Sequence, residues 1–387
     1  MRFVSATKIF NGQKFLEEDA LIVLDDNNCF KEVISEDKIN SGKIEKHAGI
    51  ICPGFVNAHC HLELSHFKNV LEEKKGMLNF AKGIISQRNT FNETQIQEAI
   101  VAADKLMWEE GIVAVGDICN TKDSFLQKSK SKIFYHSFIE LIGFNPEYSE
   151  AIITIGNGLL NEAKKLNLET SLVPHAPYSV SENLLRAIVR ESEKLNFPIT
   201  IHNQESADEN KFFIEKTGAF AELYEFLKMP IDFFKPSGLS SLQTYLKNLP
   251  KSSNTILVHN TFTSREDIIG ANKINKKLFW CFCVNANLYI ENKLPEINNF
   301  ISENCKIVIG TDSFASNHNL SVVDEINVLL KNFESVSLEN VLQWSTYNGA
   351  LALGIENNFG SFIPQKNSGL NLLCFENNQI SFSKKLF

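Results

Sequence analysis

Pro53-Gly54-Phe55-Val56-Asn57-Ala58-His59-Cys60-His61-Leu62-Glu63 is a short apolar run that ends in two histidines one residue apart. Read as a strand, it sends residues i and i+2 to one side. The imidazoles of His59 and His61 then address one point in space. Two neutral nitrogen donors aimed that way are the usual start of a divalent metal site. Two surface histidines at a strand end would show the same spacing, so the pair needs support from the rest of the chain.

That support begins downstream. GIVAVGDIC (111–119), KIFYHSFIELIG (132–143), ETSLVPHAPYS (169–179) and PITIHNQES (198–206) are apolar segments of strand length. NTILVHNTFTS (254–264), KKLFWCFCVNAN (276–287) and CKIVIGTDS (305–313) continue the series. Helical stretches separate them, as in NETQIQEAIVAADKLMWEEG, where Asn92 is placed as N-cap and Gly111 follows the end. Buried strands alternating with helices imply a parallel sheet covered by helices. About eight repeats predict an α/β fold, a closed (β/α)8 TIM barrel over residues 55–354. A doubly wound open sheet is disfavoured, because no GxGxxG loop follows an early strand. Residues 1–54 and 355–387 read as short strands and turns, and together predict a small β-sandwich built from both termini.

Bulk composition removes several classes. The net charge of −8 argues against a nucleic-acid surface, which needs clustered Lys and Arg. No apolar run approaches the ~18–20 residues of a membrane span. MRFVSATKIF lacks the three regions of a signal peptide, so a cytoplasmic location is expected. The eight cysteines form no CxxC pair and read as reduced thiols.

Polar residues then fall where a barrel keeps its chemistry, at the C-terminal ends of the strands. Five of the nine histidines (His59, His61, His175, His202 and His259) end four different strands, and Asp312 ends another. Singly, each has a bland reading as a core histidine or a turn cap. Together they predict convergence on one barrel mouth. By donor chemistry, His59, His61 and His202 supply three nitrogens and Asp312 an oxygen, a set suited to Zn2+ first and Fe2+ second. Such an ion lowers the pKa of bound water towards ~7, and Asp312 is placed to accept a hydrogen bond from that water. Glu205, three residues after His202, is expected on the same side as a proton carrier; the alternative is a helix cap. No Lys ends the fourth strand, so one metal is the simpler count.

PGFVNAHCH, PHAPYS, HNQE, VHN and GTDSFASN, in that order, resemble the amidohydrolase superfamily in its cytosine-deaminase-like branch. The resemblance runs over essentially the whole chain. It implies hydrolytic deamination of a ring amidine carbon by a metal-bound hydroxide, with release of ammonia from a small-molecule substrate. It implies His59, His61, His202 and Asp312 as ligands and Glu205 as proton shuttle. His259 would orient the attacking water, and His175 would contact substrate. Ser313 and Asn317 would shape the loop behind Asp312. HCHLE with PHAPYS is most similar to the aminodeoxyfutalosine deaminases, with the S-adenosylhomocysteine and methylthioadenosine deaminases close by; these act on 6-aminopurine nucleosides. Glu63 would hydrogen-bond substrate or orient its loop, with equal weight. The branch often has Cys-Pro-x-Ser-Asn after the seventh strand. Cys283 and Asn287 match, placing Asn287 at the substrate, but Val284 and Ala286 replace Pro and Ser. A homo-oligomer is compatible with the resemblance. Residues 230–250 read as an insertion whose Phe233, Phe234 and Tyr245 pack on the barrel or form a lid, with packing favoured. Two other functions stay open: hydrolysis of a cyclic amide or chloro-heterocycle at the same site, and a barrel that binds metal or ligand without turnover.

Overall fold

The computed structural model describes residues 1–39, 44–195, 197–366 and 368–386. The chain opens with β1 (Arg2–Ile9), β2 (Ala20–Leu24), β3 (Phe30–Ser35) and β4 (Ile44–Pro53). Only Gly54 separates β4 from β5 (Phe55–Cys60), the first barrel strand. A Cβ on Gly54 would lie 2.3 Å from Val113 Cγ1, so only glycine lets the small sheet abut the barrel floor here.

Seven further parallel strands follow: β6 (Ile112–Cys119), β7 (Phe134–Leu141), β8 (Glu169–Pro174), β9 (Ile199–Asn203), β10 (Thr255–His259), β11 (Leu278–Phe282) and β12 (Ile307–Ile309). They pair as two four-stranded halves, β5-β6-β7-β8 and β9-β10-β11-β12. The halves meet at their C-terminal ends. His202 N–H donates to the His175 carbonyl at 2.9 Å on one side. On the other, Thr311 and Asp312 N–H groups donate to the His59 carbonyl at 3.0 and 3.1 Å, and Cys60 bridges Asp312. The residues expected to hold the metal therefore also close the ring.

Helices cover the outside. α1 (Gly76–Gln87) and α2 (Glu93–Glu109) follow β5. Asn92 caps the start of α2, as the sequence signal predicts, and Gln95 completes a capping box there. The alternation breaks once: β6 and β7 are joined by a single four-residue helix, α3 (Phe125–Lys128). Next come α4 (Ser149–Lys165) after β7 and α5 (Glu182–Leu195) after β8. After β9 stand α6 (Ala207–Glu215), α7 (Ala219–Phe226) and α8 (Ser241–Tyr245), of which only α8 falls within the expected insertion at 230–250. α9 (Arg265–Ile274) follows β10, while α10 (Val284–Glu291) and α11 (Ile297–Ser302) follow β11. α12 (Val322–Asn332), α13 (Leu338–Trp344) and α14 (Tyr347–Leu353) complete the barrel.

β13 (Leu370–Glu376) and β14 (Gln379–Lys385) return to the N-terminal strands. The result is one six-stranded mixed sheet, ordered β14-β13-β4-β1-β2-β3, with its own core of Val4, Ile22, Leu24, Ile51 and Leu372. A separate aromatic cluster caps the barrel mouth. In it Phe234 stacks on Phe212 at 4.7 Å. Tyr245 donates to Asn203 Oδ1 at 2.8 Å beneath the site. Both residues of the insertion thus pack inward, while Phe233 is partly exposed. Among the described residues no helix is long and apolar enough to cross a membrane.

Candidate active site

β5 carries the apolar run to the barrel mouth, and His61 stands one residue beyond it at φ −124° and ψ 80°. His59 Nε2 lies 3.2 Å from His61 Nε2, which lies 3.3 Å from His202 Nε2. All three rings are buried. Asp312 Oδ1 stands 3.6 Å from His61 Nε2 and 3.9 Å from His59 Nε2. Ser316 Oγ donates to Asp312 Oδ2 at 2.6 Å, which leaves Oδ1 turned to the rings. Asp312 adopts φ 57°, a left-handed conformation that non-glycine residues seldom take.

The protonation pattern fits a cation. His202 Nδ1 faces the His175 carbonyl oxygen at 2.8 Å. A carbonyl only accepts, so Nδ1 carries the proton and Nε2 presents a lone pair to the cluster. Burial pushes His59 and His61 well below their ordinary pKa, reinforced by the neighbouring rings. Burial also pulls His202 down to about 4. Neutral imidazoles whose Nε2 atoms crowd together are held best by an ion between them. The donor set therefore fits one divalent cation.

Glu205 and His259 flank this cluster. Glu205 Oε1 lies 3.4 Å from His259 Nε2. His259 Nδ1 donates to Asn287 Oδ1 at 2.9 Å. Burial raises Glu205 well above the carboxylate range, and the nearby Asp312 charge adds to the rise. Burial holds His259 down at about 4.

A cavity of about 410 Å3 opens from these groups. His61, His175, His202, Glu205, His259 and Asp312 all line it. His175 Nδ1 is engaged by Ser179 Oγ at 2.6 Å. The outer part is apolar. α1 turns Met77, Phe80, Ala81, Ile84 and Ile85 towards it, with Arg88 one turn on. Leu223 and Tyr224 of α7, with Leu227 just past its end, line the same cavity.

Two expected substrate contacts stand elsewhere. Glu63 does not line the cavity. Its carboxylate accepts from the backbone N–H groups of Asn120 and Thr121, each at 3.0 Å, so it orients the loop after β6. Asn287 also lies outside the lining and contacts His259 instead. Both are buried side chains whose polar atoms are drawn to backbone or ring groups they can satisfy. Ser313 lines the cavity, and Asn317 donates to the Thr311 carbonyl at 2.9 Å behind Asp312.

Sequence reasoning missed Glu140. It sits near the end of β7, is buried, and lines the cavity. The signal that marked Asp312, a charge closing an apolar strand, was present in FIEL as well.

Eight parallel strands with a metal-competent histidine cluster at their C-terminal mouth define a barrel hydrolase. The chain belongs to the Amidohydrolase family, whose profile matches residues 50–382. A 5'-deoxyadenosine deaminase of Methanococcus maripaludis is 26% identical over 367 residues, covering 90% of this chain and 80% of the relative. The structure of Helicobacter pylori aminofutalosine deaminase in complex with methylthio-coformycin superposes with a TM-score of 0.83 at 23% identity. That match covers 97% of this chain and 93% of the other. The zinc complex of atrazine chlorohydrolase from Arthrobacter aurescens shares the fold, with a TM-score of 0.72 at 15% identity over 96% of this chain and 86% of that one.

Proposed function

We propose that this chain is a metal-dependent aminohydrolase that releases ammonia from a 6-aminopurine nucleoside or related N-heterocycle, with aminodeoxyfutalosine among the substrates it would take. The observation that carries the reading is the meeting of three imidazole Nε2 atoms with Glu205 and His259 on one cavity. In this reading His59, His61, His202 and Asp312 hold one divalent ion, Zn2+ before Fe2+. The ion supplies activation of water at neutral pH.

The protein's own groups do the remaining work. His259 keeps its Nδ1 proton on Asn287, so its Nε2 and Glu205 share whatever proton lies between them. A carboxyl raised by burial holds a proton more readily than an exposed one, which suits it to general acid–base work. Glu205 would take the first proton from the attacking water and deliver it to the ring nitrogen beside the reacting carbon, then take the second from the hydroxyl now on that carbon and pass it to the amine, which leaves as ammonia. This proton traffic favours deamination over displacement of a halide, which needs no protonated leaving group. His175, on the cavity wall, would touch the heterocycle. The apolar faces of α1 and α7 would receive the part of the substrate outside it.

The 5'-deoxyadenosine and aminofutalosine deaminases among the relatives support the aminopurine class. The same reading treats residues 55–354 as the catalytic unit and 1–54 with 355–387 as its β-domain. It places the enzyme in the cytoplasm, where the eight free cysteines would stay reduced.

The test is ammonia release from a panel of aminopurine nucleosides, bases and aminopyrimidines, using metal-assayed protein. We expect turnover with one metal per chain, and a loss of about 10²–10⁴-fold in Glu205→Gln with metal retained. Silence across the panel from fully metallated protein would overturn the deaminase reading in favour of cyclic-amide or chloro-heterocycle hydrolysis.

A further inference from the structure

The turn from β9 into α6 carries both His202 and Glu205, and Gln204 between them adopts φ 45°. That is the left-handed region, which residues other than Gly, Asn, Asp and His seldom enter. The Gln204 side chain is fully buried. Its Nε2 donates to Asp267 Oδ2 on α9 at 3.0 Å and to Asn210 Oδ1 on α6 at 3.1 Å. Both acceptors are themselves held. Ser240 Oγ donates to Asp267 Oδ1 at 2.6 Å, and the Ser241 N–H donates to Asn210 Oδ1 at 3.1 Å. The Asn210 atom that accepts a backbone N–H is an oxygen, so the Gln204 atom facing it is the amide nitrogen.

The backbone of the same turn is tied to the next strand end. The Gln204 N–H donates to Glu209 Oε1 at 3.0 Å. The Gln204 carbonyl accepts from the Phe262 N–H at 2.9 Å, and the Asn203 carbonyl from the Asn260 N–H at 3.0 Å. His259 and Asn260 are left-handed too, at φ 74° and 57°. The turn bearing Glu205 and the turn bearing His259 are thus bonded backbone to backbone, and Glu205 Oε1 lies 3.4 Å from His259 Nε2 across that joint. A glycine or an asparagine would take φ 45° at lower cost than glutamine. Strain kept in place by buried partners, next to a reacting group, points to a part in the reaction.

We propose that Gln204 is a positioning residue, whose buried amide pins the left-handed turn that sets Glu205 opposite His259. Gln204 does not line the cavity, so it acts through Glu205 and not on substrate. The assignment rests on the aminohydrolase reading. It also gives the segment 230–250 a part, since Ser240 and Ser241 hold the two acceptors of the Gln204 amide.

The experiment is a double-mutant cycle on kcat. Gln204→Met keeps the length of the side chain and removes the amide. It is measured in the wild-type and the Glu205→Gln backgrounds, on the panel nucleoside that wild type turns over fastest, with metal content and urea midpoint recorded for each protein. In the wild-type background we expect kcat to fall about ten- to hundredfold, the scale of a misplaced reacting group, with KM within about threefold and one metal per chain. In Glu205→Gln the same substitution should change the residual kcat by less than about threefold, because the group it positions is already gone. Asn210→Ala removes one acceptor at a half-buried helical position that alanine suits. It should lower kcat about three- to tenfold with the same dependence on Glu205, and it carries the test if Gln204→Met does not fold. An equal loss in both backgrounds, loss of metal in parallel with activity, or an unchanged kcat would each overturn the assignment. If wild type turns over no aminopurine nucleoside, the deaminase reading falls and this assignment falls with it. Turnover with a flat or additive response to Gln204 overturns this assignment alone.

Discussion

The backbone carbonyl of His175 accepts two hydrogen bonds from one residue, His202: one from its backbone N–H at 2.9 Å and one from its Nδ1 at 2.8 Å. The first joins the two half-barrels between β8 and β9. The second fixes the tautomer that turns the His202 Nε2 lone pair to the histidine cluster. One oxygen atom thus serves both one seam of the barrel and the tautomer of His202. His202→Ala removes the ring and keeps the backbone bond. We expect a folded protein whose metal affinity falls by more than about 10²-fold, beyond the usual cost of losing an outer-shell partner. Elemental analysis after dialysis and circular dichroism check the two halves of this expectation.

Gly310 lies between the cluster and the barrel interior. A Cβ there would stand 2.8 Å from His59 Cβ and 2.9 Å from the Sγ atoms of Cys281 and Cys283. All four residues are on packed strand ends with little room to move. Gly310→Ala should cost about 1–3 kcal/mol by overpacking and should lower metal occupancy by displacing His59. Denaturant titration with a metal assay measures both, and an unchanged midpoint would contradict the clash.

Lys128 and Asp117 form an ion pair with both side chains fully buried. Asp117 Oδ1 also accepts from Leu62 N–H at 2.7 Å, directly after His61. Lys128→Met leaves the Asp117 carboxylate buried without its partner. The expected loss of stability is about 3–5 kcal/mol. The double variant with Asp117→Asn should recover much of it, which a double-mutant cycle in urea would reveal.

His136 is buried on β7 with Nε2 2.9 Å from Ser171 Oγ. Burial, with the Lys128 charge nearby, holds its pKa at about 3 against an ordinary 6.5. The folded protein therefore binds fewer protons here than the unfolded chain between those two values. Stability is full above pH 6.5 and is lost as the pH falls towards 3. At pH 4.5 the shortfall is about 2–3 kcal/mol from this residue. His136→Gln removes that titration, so the stability gap between wild type and variant should narrow from pH 7 to 4.5. A gap that stays constant across this range would show that His136 takes up its proton in the folded state.

Much of the architecture was legible because its causes are local. Strand and helix periods, caps such as Asn92, and glycine stops are properties of ten or twenty neighbouring residues. The exception was the β6–β7 connection, where a four-residue helix suffices to return the chain. Such a short crossover carries no amphipathic pattern to read. Among the site residues, His59, His61, His202 and Asp312 announced themselves as polar endings of apolar strands.

By itself, then, the sequence determined the order of strands and helices, and which polar residues arrive at the strand ends. Tertiary structure alone decided what each polar atom faces there. Glu63 meets Asn120 and Thr121 across 57 and 58 residues, and Asn287 meets His259 across 28. Glu140, whose Oε1 is left free beside His202, has no local signature of that freedom. A buried polar atom takes its partner from whatever the closed barrel brings within about 3 Å, and that distance is set by packing rather than by spacing along the chain.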